Sequence, residues 1–295
     1  MKFGGASLST AHGMLKACQI VKEYWVKQRV VLVVSAMKGV TDRLFEVATL
    51  LENKQIKKAF FIIDEIKKTH IKTLHEVDKR LQAVKIESEL INLISRLKNF
   101  IKNVSNKKIT RARIDYIVSF GERLSSPIVA NALEMCGMTA YPIDASFIIA
   151  TNSRFGNAVP LYKESQQYIN QILFPLIKNN VIPVVTGYIG FTHGGCTTTL
   201  GRGGSDLTAA YLANLLSANA LYLWKDVEGF YSEDPHKNKK AKLFTKLSYK
   251  TARNLAKKGA KIIYYKALTP VEKKHIPIYI KSFIYPESSG TLVAD

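Results

Sequence analysis

Residues 197–206 read TTTLGRGGSD and lie between a strand-like run and a helix-like run. Three glycines let backbone N–H groups approach an anion closely, and a following helix adds the positive end of its dipole. The stretch is therefore typical of a phosphate-binding loop in an α/β fold. It is neither a Walker A loop nor a Rossmann fingerprint, because the glycine spacing differs and no Lys-Ser or Lys-Thr follows.

A tight turn capped by Ser205 and Asp206 would explain the same glycines equally well. Arg202 favours anion binding. A guanidinium between glycines has little to pack against, and its shape suits a carboxylate or a phosphate.

Strand-like and helix-like runs alternate along the whole chain. Apolar, β-branched runs predict strands at residues 2–3, 30–35, 139–143, 147–150, 181–186, 220–224 and 277–282. Helical periodicity predicts helices at residues 9–27, 111–136, 162–178, 206–216, 249–258 and 264–274, the first capped by Ser9 or Thr10. Apolar spacings of three and four around 43–103 predict a helical insertion, folded as a hairpin. The alternation predicts an α/β fold with a largely parallel sheet.

The composition is that of an ordinary globular chain. Its 295 residues are 47% hydrophobic and 22% charged, which allows a substantial core. No apolar run approaches the ~20 residues that span a bilayer, and no apolar segment follows the first lysine, so we expect no membrane segment and no secretory signal. Three scattered cysteines, Cys18, Cys136 and Cys196, favour a reduced, cytoplasmic protein.

The net charge of +20 raises the question of nucleic-acid binding. Lysines make up 33 of the 43 basic residues and are scattered as pairs through predicted helices. Nucleic-acid-binding proteins favour clustered arginines and aromatic stacking platforms. We interpret the charge as a lysine-rich solvated surface that helps attract anionic nucleotide, and we predict no nucleic-acid partner.

Two further segments carry candidate chemistry. Lys2 precedes Gly4 and Gly5, so its ammonium either neutralises a transferring phosphoryl group or is a surface lysine at a chain terminus. Glu122 lies in an apolar helical pattern. Its carboxylate is either paired with Arg123 or directed at a ligand ammonium, and spacing alone does not decide between them.

In order along the chain, these segments resemble the aspartokinase family. KFGGAS at residues 2–7 is similar to the family's KFGGTS, SFGERLS at 119–125 to its GERLS segment, and residues 198–206 match its TTLGRGGSD signature. Later resemblances are WKDVEGFYSEDP at 224–235, GAK at 259–261 and SGTL at 289–292. Departures are His236, where many members have Arg, and Tyr264-Tyr265, where they have His-Pro.

The resemblance covers essentially the whole chain. It implies a three-layer αβα sandwich of the amino-acid-kinase (carbamate-kinase-like) type, with a central, mainly parallel sheet. It also implies one catalytic domain over 1–295, with an acceptor-binding N-lobe at about 1–190 and a nucleotide-binding C-lobe at about 191–295. We expect no ACT regulatory domain after Asp295 and no feedback inhibition of the isolated chain by lysine or threonine. Either the chain is a catalytic core alone, or a partner chain supplies regulation. A homodimer fits the family.

The implied activity is aspartate kinase, converting ATP and L-aspartate to ADP and 4-phospho-L-aspartate in lysine, threonine and methionine biosynthesis. Implied catalytic residues are Lys2 and Asp206. Implied acceptor-binding residues are Ser35, Thr41, Glu122, Arg202 and Ser205. Implied nucleotide-binding residues are Lys2, Gly4, Gly5, Ser7, Gly203, Gly204, Lys225, Asp226, Tyr231 and Lys261. Magnesium would arrive with the nucleotide, without a protein metal site.

Two alternatives stay open. One is another acid kinase of the superfamily, acting on glutamate, acetylglutamate or a nucleoside monophosphate. The other is a degenerate, non-catalytic kinase subunit, which would show losses at the phosphate-binding and acceptor-binding positions.

Overall fold

The computed structural model describes residues 1–233, 240–260 and 262–295. Its helices are α1 Ala11–Trp25, α2 Val40–Glu52, α3 Ile56–Val77, α4 Gln82–Val104, α5 Arg111–Val118, α6 Phe120–Met135, α7 Tyr162–Lys178, α8 Gly204–Leu215, α9 Tyr249–Lys257 and α10 Leu268–Glu272. Its strands are β1 Lys2–Phe3, β2 Leu32–Val34, β3 Ala140–Ile143, β4 Ile182–Thr186, β5 Ile189–Phe191, β6 Thr197–Thr199, β7 Leu221–Lys225, β8 Lys246–Leu247, β9 Ile278–Ser282 and β10 Thr291–Val293. Short 3-10 helices occupy Ala145–Phe147 and Tyr265–Ala267.

Within these ranges, eight strands form one sheet in the order β3-β4-β2-β1-β7-β9-β10-β8, with β9–β10 as its antiparallel pair. The first strand lies at the centre, where Lys2 pairs with Val33 on one side and Leu223 on the other. Strands β5 and β6 form a separate antiparallel hairpin. The predicted α/β fold with a mainly parallel sheet is confirmed.

Two hydrophobic cores lie on opposite faces of the sheet, because successive strand residues point to opposite sides. In β2, Leu32 and Val34 belong to the core shared with α1–α6, whereas Val33 belongs to the core shared with α7–α10. Helices on both faces explain why the central strands are apolar runs without polar alternation. In the residues described, no helix combines the length and apolar character needed to cross a membrane.

The predicted helical insertion contains three helices, α2, α3 and α4, of which α3 and α4 form the hairpin. The predicted helix at 111–136 is divided at Ser119 into α5 and α6. The Ser119 hydroxyl donates to the carbonyl of Tyr116 at 2.6 Å, a backbone contact that bends helices. Thr10 caps α1 by accepting from the N–H of Gly13, as one of the two predicted caps.

The predicted strand at 147–150 is wrong. The Asp144 carboxylate accepts a hydrogen bond from the N–H of Ser146 and thereby starts a 3-10 helix, and Ala150 contributes only an isolated bridge to Phe191. Strands β5, β6, β8 and β10 were not predicted. They are two or three residues long, and β8 and β10 depend on partners distant in sequence, so local pattern carries little signal for them.

Candidate active site

A cleft of 670 Å³ opens where β1, β2, β4 and β7 end. Open α/β sheets bind ligands at the carboxyl ends of their strands. The cleft wall brings together most of the predicted residues: Lys2, Gly5, Ser35, Thr41, Glu122, Arg202, Gly203, Gly204, Ser205, Asp206 and Lys225. A smaller apolar pocket of 340 Å³ near Val31 and Leu221 lies at the opposite strand ends and contains none of them.

Asp206 lies between two buried or nearly buried lysines. Its Oδ1 is 2.8 Å from Nζ of Lys2, and its Oδ2 is 2.8 Å from Nζ of Lys225. Lys2 comes from β1 and Lys225 from the end of the neighbouring strand β7, so strand pairing places both ammonium groups above the N-terminal turn of α8. Sequence reasoning selected all three residues but did not predict that they contact one another.

Charge and burial act in opposite directions on this cluster. Burial alone would raise the pKa of Asp206, but the positive charges of Lys2 and Lys225 hold that pKa well below its usual range. Burial lowers the pKa of Lys225, against the raising effect of Asp206. The cluster therefore places two ammonium groups against one carboxylate, which favours a bound anion.

Glu122 is buried at the base of the cleft, on the first turn of α6. Its Oε1 accepts a 3.2 Å hydrogen bond from the N–H of Ala36, whereas its Oε2 has no hydrogen-bond partner among the described residues. Burial raises the pKa of Glu122 to about 8, which favours the protonated carboxyl in the absence of a cationic partner.

Pairing between Glu122 and Arg123, one of the two predicted alternatives, is wrong. The Arg123 guanidinium donates to Asp144 Oδ2 at 2.6 Å and to Ser119 Oγ at 2.6 Å. Arg123 thus connects α6 to the segment after β3, which leaves Glu122 directed at the cleft.

The glycine-rich stretch begins in β6 and ends in the first turn of α8. Gly201 and Gly203 have φ of 74° and 70°, a region that glycine enters without strain. At Gly203 a Cβ atom would lie 2.4 Å from Cβ of Tyr264, so the tyrosine at a departure from the family pattern packs directly on the loop. The Arg202 side chain is exposed on the cleft wall, and in the described ranges it forms no salt bridge.

Four predicted nucleotide-binding residues that the structure describes do not lie on the cleft wall: Gly4, Ser7, Asp226 and Tyr231. Ser7 is buried and its hydroxyl donates to the carbonyl of Gly4 at 2.7 Å, so both residues shape the turn after β1. Asp226 is exposed just beyond β7. The Tyr231 hydroxyl donates to Glu228 at 2.6 Å. Lys261 and His236 lie outside the described residues.

Sequence reasoning missed several residues of the wall: Met37, Lys38, Gly39, Asp42 and Phe45, which lie close to the predicted Thr41, and Gly156 and Tyr188, which lie elsewhere in the chain. Tyr188 has φ of 69° and follows Gly187 at the end of β4. Its position directly after a parallel strand is a signal that could have identified it. Gly156 lies in a loop with no strand or phosphate signature of its own, so no such signal was present.

The model of the amino acid kinase family matches residues 1–282. The chain belongs to the amino acid kinase family. Aspartokinase 3, chloroplastic, of Arabidopsis thaliana is 32% identical over 299 residues, which cover 99% of this chain and 52% of that protein. Lysine-sensitive aspartokinase 3 of Escherichia coli (strain K12) is 31% identical over 294 residues, which cover 100% of this chain and 63% of that protein. The chain thus spans about half to two thirds of these relatives.

Solved structures agree with this amino-acid-kinase fold. E. coli aspartokinase III in complex with aspartate and ADP superposes with a TM-score of 0.91 at 30% identity, covering 100% of this chain and 64% of that one. UMP kinase from Bacillus anthracis, at 15% identity and a TM-score of 0.55, shares the fold alone. The expected αβα sandwich of the amino-acid-kinase type is confirmed.

Proposed function

We propose that this amino-acid-kinase chain is the catalytic part of an aspartate kinase, which converts ATP and L-aspartate to ADP and 4-phospho-L-aspartate. The observation that carries the proposal is the buried Oε2 of Glu122, which has no hydrogen-bond partner in the part of the chain that the structure describes, in the same cleft as the exposed Arg202. A small zwitterion needs one anion and one cation to fix it. E. coli aspartokinase III, solved with aspartate and ADP, is the supporting structural relative.

In this proposal, Glu122 receives the ammonium of aspartate and Arg202 binds its α-carboxylate. Ser35, Thr41 and Ser205, which lie on the same wall, complete the acceptor site. Fixing both charged groups leaves the side-chain carboxylate free to approach the γ-phosphorus in line. Glutamate is one methylene longer, so the same two anchors would place its carboxylate differently.

The phosphoryl step needs no proton transfer by the protein. A carboxylate oxygen of aspartate attacks the γ-phosphorus, the bond from that phosphorus to the β–γ bridging oxygen breaks, and the electron pair leaves with ADP. Lys2 and Lys225 neutralise charge on the phosphates, and the N–H groups at the start of α8 add the positive end of the helix dipole. Asp206 holds the two ammonium groups in place.

Magnesium enters this proposal as the ion carried by ATP, where it neutralises phosphate charge. The described residues hold no group of three or more His, Cys, Asp and Glu side chains suited to a metal. Asp206 is the carboxylate nearest the lysines, and both its oxygens already contact them. Magnesium typically keeps several waters and binds through one or two protein carboxylates and the substrate phosphates, so the proposal assigns the ion to ATP.

The division into an acceptor-binding lobe (about 1–190) and a nucleotide-binding lobe (about 191–295) stays part of the proposal. So do a place in lysine and threonine biosynthesis, a cytoplasmic location and a homodimer.

The deciding experiment measures ADP release, or acyl-phosphate trapped as hydroxamate, with ATP, magnesium and a panel of aspartate, glutamate and acetylglutamate. We expect turnover with aspartate that exceeds turnover with either analogue. Folded protein that turns over glutamate or acetylglutamate in preference would assign it to another acid kinase. Absence of turnover with every acceptor, together with intact nucleotide binding, would favour the non-catalytic alternative.

A further inference from the structure

Asp115 is a buried carboxylate with no role in the proposed chemistry. It lies on α5, and its residue is 2% exposed. Its Oδ2 accepts hydrogen bonds from the N–H of Gly156 and the N–H of Thr199, each at 2.8 Å, and its Oδ1 accepts from the Thr199 hydroxyl at 2.9 Å. Among the described residues, no Lys, Arg or His forms a salt bridge with it.

The hydrogen-bond donors belong to two segments that meet at the cleft. Thr199 ends β6, two residues before Gly201 and three before Arg202. Gly156 lies on the cleft wall. The two segments touch again at Gly201, where an added Cβ would lie 2.9 Å from the carbonyl oxygen of Gly156. The carbonyl of Thr199 also accepts from the N–H of Ala158 at 2.9 Å.

A general stabilising role explains this arrangement poorly. Burying a carboxylate without a cation is costly, and a neutral or apolar residue would pack α5 at lower cost. Burial does raise the pKa of Asp115, against the lowering effect of the hydrogen bonds from Gly156 and Thr199. An ionised carboxylate, however, is a pure acceptor and can satisfy three donors at once, which an amide cannot do without turning its NH₂ toward one of them.

We propose that Asp115 is a positioning residue, which fixes the start of the glycine-rich stretch against the Gly156 loop so that Arg202 faces the acceptor. The inference rests on the proposed function for the identity of the acceptor. It predicts an effect on acceptor binding that exceeds the effect on ATP binding, because Arg202 follows Thr199 by three residues, whereas the ammonium groups of Lys2 and Lys225 come from β1 and β7.

The test compares Asp115→Asn with a matched control, Asp78→Asn, in the full chain. Asp78 is also a buried carboxylate, 1% exposed, and accepts from Arg80 and Asn131, but it is absent from the cleft wall. For Asp115→Asn we expect the KM for aspartate to rise ~10- to 100-fold, the range for losing hydrogen bonds to a charged group, with a change in the KM for ATP of less than about threefold. Asp78→Asn should lower the melting temperature without changing the ratio of the two KM values.

A second readout is independent of activity. Amide hydrogen exchange, followed by mass spectrometry, should become faster in peptides covering 154–158 and 197–204 of Asp115→Asn and stay unchanged in α4. Thr199→Val, which replaces the hydroxyl with a methyl group and keeps the backbone N–H, should give a smaller change of the same kind. It also keeps the test open if Asp115→Asn does not fold.

Each outcome decides one question. Local acceleration with a selective rise in the KM for aspartate supports the positioning role. Unchanged exchange in both segments, or acceleration throughout the chain with equal changes in both KM values, overturns it. Local acceleration in a protein whose wild type does not phosphorylate aspartate supports the positioning role while it refutes the proposed function.

Discussion

The ammonium of Lys2 lies 2.8 Å from Oδ1 of Asp206, although one residue belongs to the first strand and the other to α8. Strand β1 pairs with β7, so Lys2 and Lys225 lie on neighbouring strands and both reach the carboxylate of Asp206. The single negative charge of Asp206 neutralises one of the two ammonium charges. We expect the remaining positive charge to be available to a phosphate. The first prediction tests that division of charge.

Replacing Lys2 with Ala should reduce kcat ~10²- to 10³-fold, the usual cost of removing one group that stabilises charge in the transition state, and should change the KM for ATP much less. Steady-state kinetics checks the split between kcat and KM. Lys27→Ala, at an exposed position, is the control and should match wild type. If turnover of Lys2→Ala stayed within a few fold of wild type, the assigned role would be wrong.

Replacing Glu122 with Gln should weaken acceptor binding. The amide keeps the shape of the side chain and can still accept from the N–H of Ala36, but it has no charge to offer an ammonium. We expect the KM for aspartate to rise ~10- to 100-fold and the KM for ATP to stay nearly constant. Equal KM values for aspartate in the two proteins would contradict the assignment.

The wild-type KM for aspartate should also depend on pH through Glu122. Because burial raises its pKa to about 8, the ionised fraction in the empty cleft falls as pH falls below that value. The KM for aspartate should therefore increase ~10-fold per pH unit on the acid side of the transition. In Glu122→Gln, the KM for aspartate should not change with pH when it is measured between about pH 6 and 8, the range around that pKa.

The ionisation of Glu122 should also change the thermal stability of the protein with pH, in a direction that its raised pKa determines. The pKa of Glu122 is raised from its ordinary value of 4.5 to about 8, so the protonated form is the one that folding favours. Its stabilisation is fully present below pH 4.5 and is lost as pH rises to about 8. Across that window the melting temperature of wild type should fall relative to Glu122→Gln. A constant difference between the two curves would show that Glu122 is not buried in solution.

Replacing Arg202 with Lys should not preserve acceptor binding, because an ammonium cannot reproduce the two parallel hydrogen bonds of a guanidinium to a carboxylate. We expect the KM for aspartate to rise ~10-fold or more. Arg154→Lys is the matched control, since Arg154 is also exposed and is absent from the cleft wall. If Arg202→Lys had the same KM for aspartate as wild type, the assignment of Arg202 to the α-carboxylate of aspartate would be wrong.

The large elements followed from sequence, because long apolar runs and helical periodicity are local signals. The strand predicted at 147–150 is absent, since the segment begins as a 3-10 helix in which the Asp144 carboxylate accepts from the N–H of Ser146. In the candidate site, residue types alone favoured Arg202, and the family resemblance added Lys2, Glu122 and Asp206. Two features of the site depend on packing between distant segments, which no local pattern encodes. Asp206 pairs with both lysines, and Arg123 pairs with Asp144 and not with Glu122.

The central position of β1 limits how the chain can be divided. Its two residues pair with β2 on one side and with β7 on the other, so the first residues of the chain lie inside the ladder that joins the two halves. A cut between residues 190 and 191 would separate Lys2 from Asp206 and Lys225. Neither fragment would hold Lys2 and Lys225 together on Asp206, and we expect activity to return only if the two fragments reassociated through β1. The proposed phosphate-binding site would therefore belong to the reassembled sheet and to neither half alone.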